Sequence, residues 1–207
     1  MIKSVSYDQE EILENIIRLY IPSGGIECDS TFGNGNFYKR ISVPRYAYDL
    51  NPRNGAEYGD SRNLPLADES ISSLMFDPPF LATKGKSLQT DKGNIINRRF
   101  GVYPTEKELH DFYTESIKEG SRVLKKDGIL IVKCQDKVSS GKQYMSHVYI
   151  FNEATRLGFV VKDLFILLAK NRWVADWQKK NQQHARKYHC YFWVFQKKKG
   201  RVKKNNE

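Results

Sequence analysis

Residues 73–80, SLMFDPPF, run four residues suited to a buried strand into an aspartate and two consecutive prolines. Proline has no backbone N–H and a fixed φ, and it drives the residue before it toward extended geometry. Asp77 therefore ends the strand, and Pro78 and Pro79 cannot continue it. The strand end is left with a short row of acceptors: the Asp77 carboxylate and the carbonyls of Asp77 and Pro78, with the Phe80 ring beside them. A partner with N–H groups and a flat face fits such a place.

Working outward, GIECDSTFGNGNFY (25–38) reads as a short strand breaking into a glycine-rich turn. RYAYDLN (45–51) is a second strand, AEYGDS (56–61) a third, and a fourth runs from Ile71 into Asp77. Ahead of them, DQEEILENIIRLYI (8–21) spaces Ile12, Ile16, Ile17 and Tyr20 as one helix face behind an acidic first turn, with Pro22, Gly24 and Gly25 as its stop. Thr105 and Glu108 form a capping box for a helix whose buried face is Leu109, Phe112, Tyr113 and Ile117 and which ends near KKDG (125–128). ILIVKC (129–134) is a buried strand, YMSHVYIFNEATRL (144–157) a helix, and FVVKDLFILLAK (159–170) and KYHCYFWVFQK (187–197) the last two strands. This β/α alternation predicts an α/β, Rossmann-like fold. Its sheet is seven-stranded and mostly parallel with an antiparallel last strand, helices cover both faces, and the last two strands form a hairpin at one edge.

The chain has 207 residues, 40% of them hydrophobic, enough for one domain over 1–197 with a sizeable core. No apolar run approaches the roughly 20 residues of a membrane span, and the acidic start MIKSVSYDQEE is unlike a signal peptide, so a cytoplasmic protein is expected. Cys28, Cys134 and Cys190 lack paired metal-site spacing, and His110, His147, His184 and His189 show no ligand motif, so no metal is expected. The formal charge of +10 is uneven: loops 81–104 and 171–187 each carry net +4 and the end 196–207 carries net +5, leaving the remainder at −3. Charge gathered on loops and on a low-complexity basic tail (198–207) points to a polyanion such as nucleic acid.

In a doubly wound sheet, ligands sit beyond the carboxyl ends of the strands where the strand order reverses, so DSTFGNGN and DPPF should face each other. Gly33 and Gly35 let the backbone approach a ligand, and Asp29 can fix the loop or take an N–H group. A dinucleotide fingerprint needs a third small residue where Tyr38 stands, which disfavours a nicotinamide cofactor. Asp49 is placed for the two ribose hydroxyls of an adenosine ligand, and Asp60 for an adenine amine.

With CDSTFGNGN as cofactor motif and DPPF as amine motif, the chain resembles the class I S-adenosylmethionine-dependent amino-methyltransferases that carry a D/N/S-P-P-aromatic motif, over most of residues 10–197. The resemblance implies catalytic roles for Asp77, Pro78, Pro79 and Phe80. Asp77 and the Pro78 carbonyl accept the hydrogens of a target amine, and Phe80 stacks on its base. It further implies that S-adenosylmethionine binds at Asp29, Thr31, Phe32, Gly33, Gly35, Asp49, Asp60 and Asp77. The motif order and the leading aspartate resemble DNA adenine-N6 enzymes. RNA adenine-N6 or guanine-N2, DNA cytosine-N4 and protein glutamine methyltransferases use similar motifs, and a catalytically silent nucleic-acid-binding subunit is the alternative of another class. The chain departs from modification enzymes in having no separate target-recognition domain. Only the two basic loops could serve, with Lys84, Lys86, Arg98, Arg99, Arg172, Lys179, Lys180 and Arg186 for phosphates and Phe100, Tyr103, Trp173 and Trp177 for stacking on bases or filling a gap. A duplex base would have to be flipped out to enter. Lys133, Gln135 and Asn171, near strand ends, are further candidates.

Overall fold

A computed structural model describes residues 1–82, 103–139, 141–171 and 182–198. Its main sheet contains β2 (Cys28–Asp29), β3 (Tyr46–Asp49), β4 (Glu57–Tyr58), β5 (Ile71–Phe76), β6 (Leu124–Cys134), β9 (Phe159–Leu168) and β10 (His189–Lys197), with β1 (Val5–Ser6) added at one edge. The order is β1-β9-β10-β6-β5-β2-β3-β4, eight strands among the described residues. Five pairings are parallel, and β10 alone runs antiparallel to both its neighbours.

Two expectations are corrected here. The antiparallel β9–β10 hairpin forms as expected, but it does not end the sheet, because β1 lies outside β9; β10 is interior, in keeping with its unbroken buried run Phe192, Trp193, Val194 and Phe195. β1, which the sequence reading lacked, pairs with Ile166 and Leu167 and makes the count eight instead of seven. In addition, the segment before the last helix folds as a hairpin, β7 (Lys137–Ser139) with β8 (Lys142–Tyr144), so that helix begins only at Ser146. KKDG lies within β6 as a bulge with Asp127 at φ 64°, because the pairing jumps from Ile71↔Leu124 to Ser73↔Ile129.

Strand alternation divides the core into two clusters. Met75, Ile129, Ile131, Phe192 and Val194 face α1 (Gln9–Tyr20), which buries Ile12, Leu13, Ile16 and Ile17. Leu74, Phe76, Leu130, Val132, Trp193 and Phe195 face α2 (Glu106–Val123) and α3 (Ser146–Arg156). Asp8 caps α1 by accepting from the N–H groups of Glu10 and Glu11, and the Thr105/Glu108 capping box of α2 is present. Among the described residues, the connections between β2, β3, β4 and β5 contain turns and no helix. Phe32, Phe37 and Tyr38 cover that part of the sheet on the α1 side. Among the described residues, no helix is long and apolar enough to cross a membrane.

Candidate active site

β2 pairs in parallel with β3 on one side and β5 on the other, so the chain order reverses at β2, the arrangement in which a ligand crevice lies beyond the carboxyl end. Asp29 and Asp49 end β2 and β3 and Asp77 follows β5, so the three stand at that edge of the sheet.

The glycine turn is built around two carboxylates. Asp29, fully buried, accepts from the Thr31 N–H (2.8 Å) and hydroxyl (3.3 Å) through Oδ1 and from the Tyr38 hydroxyl (2.6 Å) through Oδ2. Asp49 accepts from the Gly33 N–H (2.9 Å) and the Asn51 N–H (2.7 Å). Both predicted glycines adopt positive φ, 57° at Gly33 and 69° at Gly35. Gly35 also abuts the Phe32 ring, since a Cβ there would lie 2.8 Å from Phe32 Cζ. Phe32 in turn stacks on Tyr38, with ring centroids 5.3 Å apart. Tyr38, which in the sequence counted only against a nicotinamide site, thus ties the turn down. No helix follows the turn among the described residues, so the backbone and the two aspartates shape this side of the crevice.

Thr31 joins the two motifs. Its hydroxyl donates to Asp29 and accepts the Asp77 N–H at 2.7 Å. Beyond Asp77 the motif is held carbonyl by carbonyl. Pro79 accepts from the Tyr113 hydroxyl (2.8 Å) and Phe80 from Lys137 Nζ (2.7 Å), and Lys137 is paired with Glu106 at 2.9 Å. Burial lowers the Lys137 pKa, with Glu106 opposing. Three acceptors have no donor among the described residues, one of them the Asp77 carbonyl. Asp77 Oδ1 is shielded from solvent and has no hydrogen-bond partner among the described residues. No backbone donor among them reaches the Pro78 carbonyl. Burial pushes the Asp77 carboxyl above its usual range, and the Lys133 ammonium, 3.4 Å from Oδ2, pulls it back.

Several sequence candidates have partners of their own or lie outside the described residues. Both Asp60 oxygens are engaged by the Arg62 guanidinium (2.7 to 3.1 Å), which holds that carboxyl below its ordinary value. The Tyr103 ring is half-buried and packs on Phe112 at 5.2 Å, the gap-filling one of its two expected roles. Gln135 donates to the His189 carbonyl at 2.9 Å. Lys84, Lys86, Arg98, Arg99, Phe100, Arg172, Trp173, Trp177, Lys179 and Lys180 lie outside the described residues, and Arg186 is half-buried within them. The roots of both basic loops are nonetheless fixed. Ala82 bridges to Tyr103 just after the motif, and the Ala169 N–H donates to the Tyr188 carbonyl at 2.8 Å. β9 runs in the same direction as β6, so both loops leave from the catalytic edge. Tyr113, Lys137 and Glu106 escaped the sequence reading as site residues, because their contacts span 31 residues or more and leave no local signal. Among the described residues no group of His, Cys, Asp and Glu is placed to hold a metal.

No family model matches the sequence. Nor does any curated protein match it. By structure, the chain is similar to the [4+2]-cyclase SpnF (13% identity, TM-score 0.53, covering 92% of this chain and 82% of that one). It is also similar to a SAM-dependent methyltransferase of Methanosarcina mazei (11%, TM-score 0.52, 88% and 97%). It further aligns with a putative DNA modification methylase of Thermus thermophilus (18%, TM-score 0.44, 69% of this chain), spanning 52% of that protein's length. The strand order, with β10 antiparallel between β6 and β9, defines the fold as that of the class I methyltransferases. The cyclase shares this fold, so the fold leaves the chemistry to the site.

Proposed function

We propose that the protein is an S-adenosylmethionine-dependent methyltransferase acting on an exocyclic amine of a nucleic-acid base, with N6 of adenine in DNA as the leading target. The observation that carries the reading is the selective availability of acceptors. The Pro79 and Phe80 carbonyls are tied down, while Asp77 Oδ1 and the Pro78 carbonyl have no donor among the described residues. These two atoms suit the two hydrogens of an amine.

The turn suits the cofactor: Gly33 and Gly35 carry no side chain and adopt the positive φ that the turn requires, and Asp49 sits at the end of β3 for the ribose hydroxyls. When bound there, S-adenosylmethionine supplies an electrophilic methyl group. The protein's part is positioning and electrostatics. An aryl amine's lone pair is delocalised into its ring, and two fixed acceptors favour a pyramidal nitrogen whose lone pair points at the donor. Phe80 holds the base plane, and the nitrogen loses its proton after the new bond has formed, so no strong base is needed. The basic loops rooted on the catalytic edge support a nucleic-acid substrate, the leading aspartate of the motif favours adenine N6, and the order of the two motifs favours DNA over RNA.

The test is transfer of labelled methyl from S-adenosylmethionine to matched DNA, RNA and protein pools, with mass spectrometry of the product nucleosides. N6-methyladenine in DNA is expected. Asp77→Ala, still folded, should lose on the order of 10²–10³ in rate, as when an aligned polar group is removed from a site that stabilises developing charge. Label in RNA or protein would move the substrate, and no label in any pool would sink the enzymatic reading in favour of a silent binding subunit.

A further inference from the structure

Lys133 stands one strand over from the amine motif, on β6, where Val132 pairs with Phe76. Its ammonium is 3.4 Å from Asp77 Oδ2 and donates to Gln9 Oε1 at 3.0 Å. It also lies over the rings of Phe37 (4.8 Å), Phe192 (5.6 Å) and Phe80 (5.9 Å). Only 13% of the side chain is exposed. An ammonium removed from water to this degree is costly unless a charge and aromatic faces compensate it, and a methionine of similar length would fill the space without that cost.

What the cation does is decided by what faces Asp77. Asp29 follows from the end of β2, Tyr38 from the glycine turn, Tyr113 from α2 and Cys134 from β6. None of these is a cation, and a nearby carboxylate opposes ionisation of Asp77. Lys133 is the group that offsets burial of Asp77. It also fixes which oxygen does what: with Oδ2 held by the ammonium, Oδ1 is the atom without a partner.

We propose that Lys133 is a positioning residue for Asp77: its ammonium, held between three aromatic rings and Gln9, locks the carboxylate through Oδ2 and presents Oδ1, charged, to the incoming amine. A protonated Asp77 would instead offer an O–H donor where the amine needs an acceptor. The kinetic consequence rests on the methyl-transfer reading above, whereas the charge coupling does not.

The two parts are tested separately on the full chain. Carbon-13-labelled aspartate gives the titration of Asp77, assigned by the loss of its resonance in Asp77→Asn. Lys133→Met should raise the midpoint by at least about one pH unit, as expected for losing an opposite charge at hydrogen-bonding distance. Lys133→Arg should restore most of it, and Lys133→Gln makes the same comparison if the methionine variant does not fold. An unchanged midpoint in the uncharged variant overturns the proposal. In transfer assays the acid limb of the Lys133→Met rate profile should move up with the titration, with kcat falling more than KM rises. A moved titration with no methyl transfer by the wild type would keep Lys133 as the partner of Asp77 and remove the enzymatic reading.

Discussion

Asp29 shows how a single enclosed residue couples the turn to pH. Burial pushes its carboxyl up to about 7; hydrogen bonds from Tyr38 and Thr31 oppose the rise and the Asp77 carboxylate adds to it. Its unfolded value is near 3.9, so between about 4 and about 7 the folded state binds more protons than the unfolded one. Stability therefore falls as pH rises through this window, and the loss is complete above it. Asp29→Asn removes the titration while keeping an acceptor for Thr31. The melting temperature of Asp29→Asn minus that of the wild type should thus increase from pH 5 to pH 8, measured by circular dichroism. A difference that stays constant or decreases would mean that Asp29 is ionised throughout. The role of this residue was only half legible beforehand: a carboxylate at a strand end was expected to fix the loop, but the Tyr38 hydroxyl that holds it lies on a residue noted only for its bulk.

At the scale of elements, connections without helices need other means of attachment, and Arg122 supplies them. From the last turn of α2 it donates to the carbonyls of Leu64 (3.1 Å) and Leu66 (2.8 Å) and pairs with Asp68 and Glu119, while Glu119 accepts the Leu64 N–H at 2.7 Å. The segment between β4 and β5 is thereby pinned to a helix some 55 residues away. Arg122→Met should cost roughly 2–3 kcal/mol in urea unfolding, because it leaves the buried Glu119 carboxylate without its cation. Arg122→Met with Glu119→Gln should cost less than the single change, a non-additivity expected of direct partners. The helices α1 and α2 were readable from their caps and apolar spacing, since those signals lie within the helix itself. β1 and the β7–β8 hairpin were not, because strands of two or three residues have no measurable period, and their pairing depends on partners such as Ile166.

At the scale of the whole molecule, both basic loops are rooted at one edge of the sheet. The segment 83–102 carries net +4, and its ends are joined through Ala82 and Tyr103 directly after the amine motif. Replacing 83–102 by a short glycine-serine linker should leave the melting temperature within a few degrees, since the bridge and the Tyr103–Phe112 contact remain. Affinity for a single-stranded oligonucleotide should fall at low salt, and the slope of log affinity against log salt should flatten by up to about 3, the value for four phosphate contacts on a single strand. An unchanged slope, measured by fluorescence anisotropy, would place the nucleic acid elsewhere.

The sequence by itself determined where strands must stop and in what order their ends carry acids. Two prolines forbid the strand to continue past Asp77, glycines at 33 and 35 permit the turn, and alternating apolar runs define the two faces of the sheet. These are local constraints of φ, hydrogen-bonding capacity and period, and they apply before the chain has folded. The tertiary structure decided which of the available polar groups remain available. It gave Asp60 to Arg62, tied the Pro79 and Phe80 carbonyls to Tyr113 and Lys137, linked Asp29 to Asp77 through Thr31, and enclosed Lys133 among Phe37, Phe80 and Phe192. Most of those contacts join residues far apart in sequence, so no local pattern records them, and only the packed sheet with its helices selects one partner for each group from the many the chain contains.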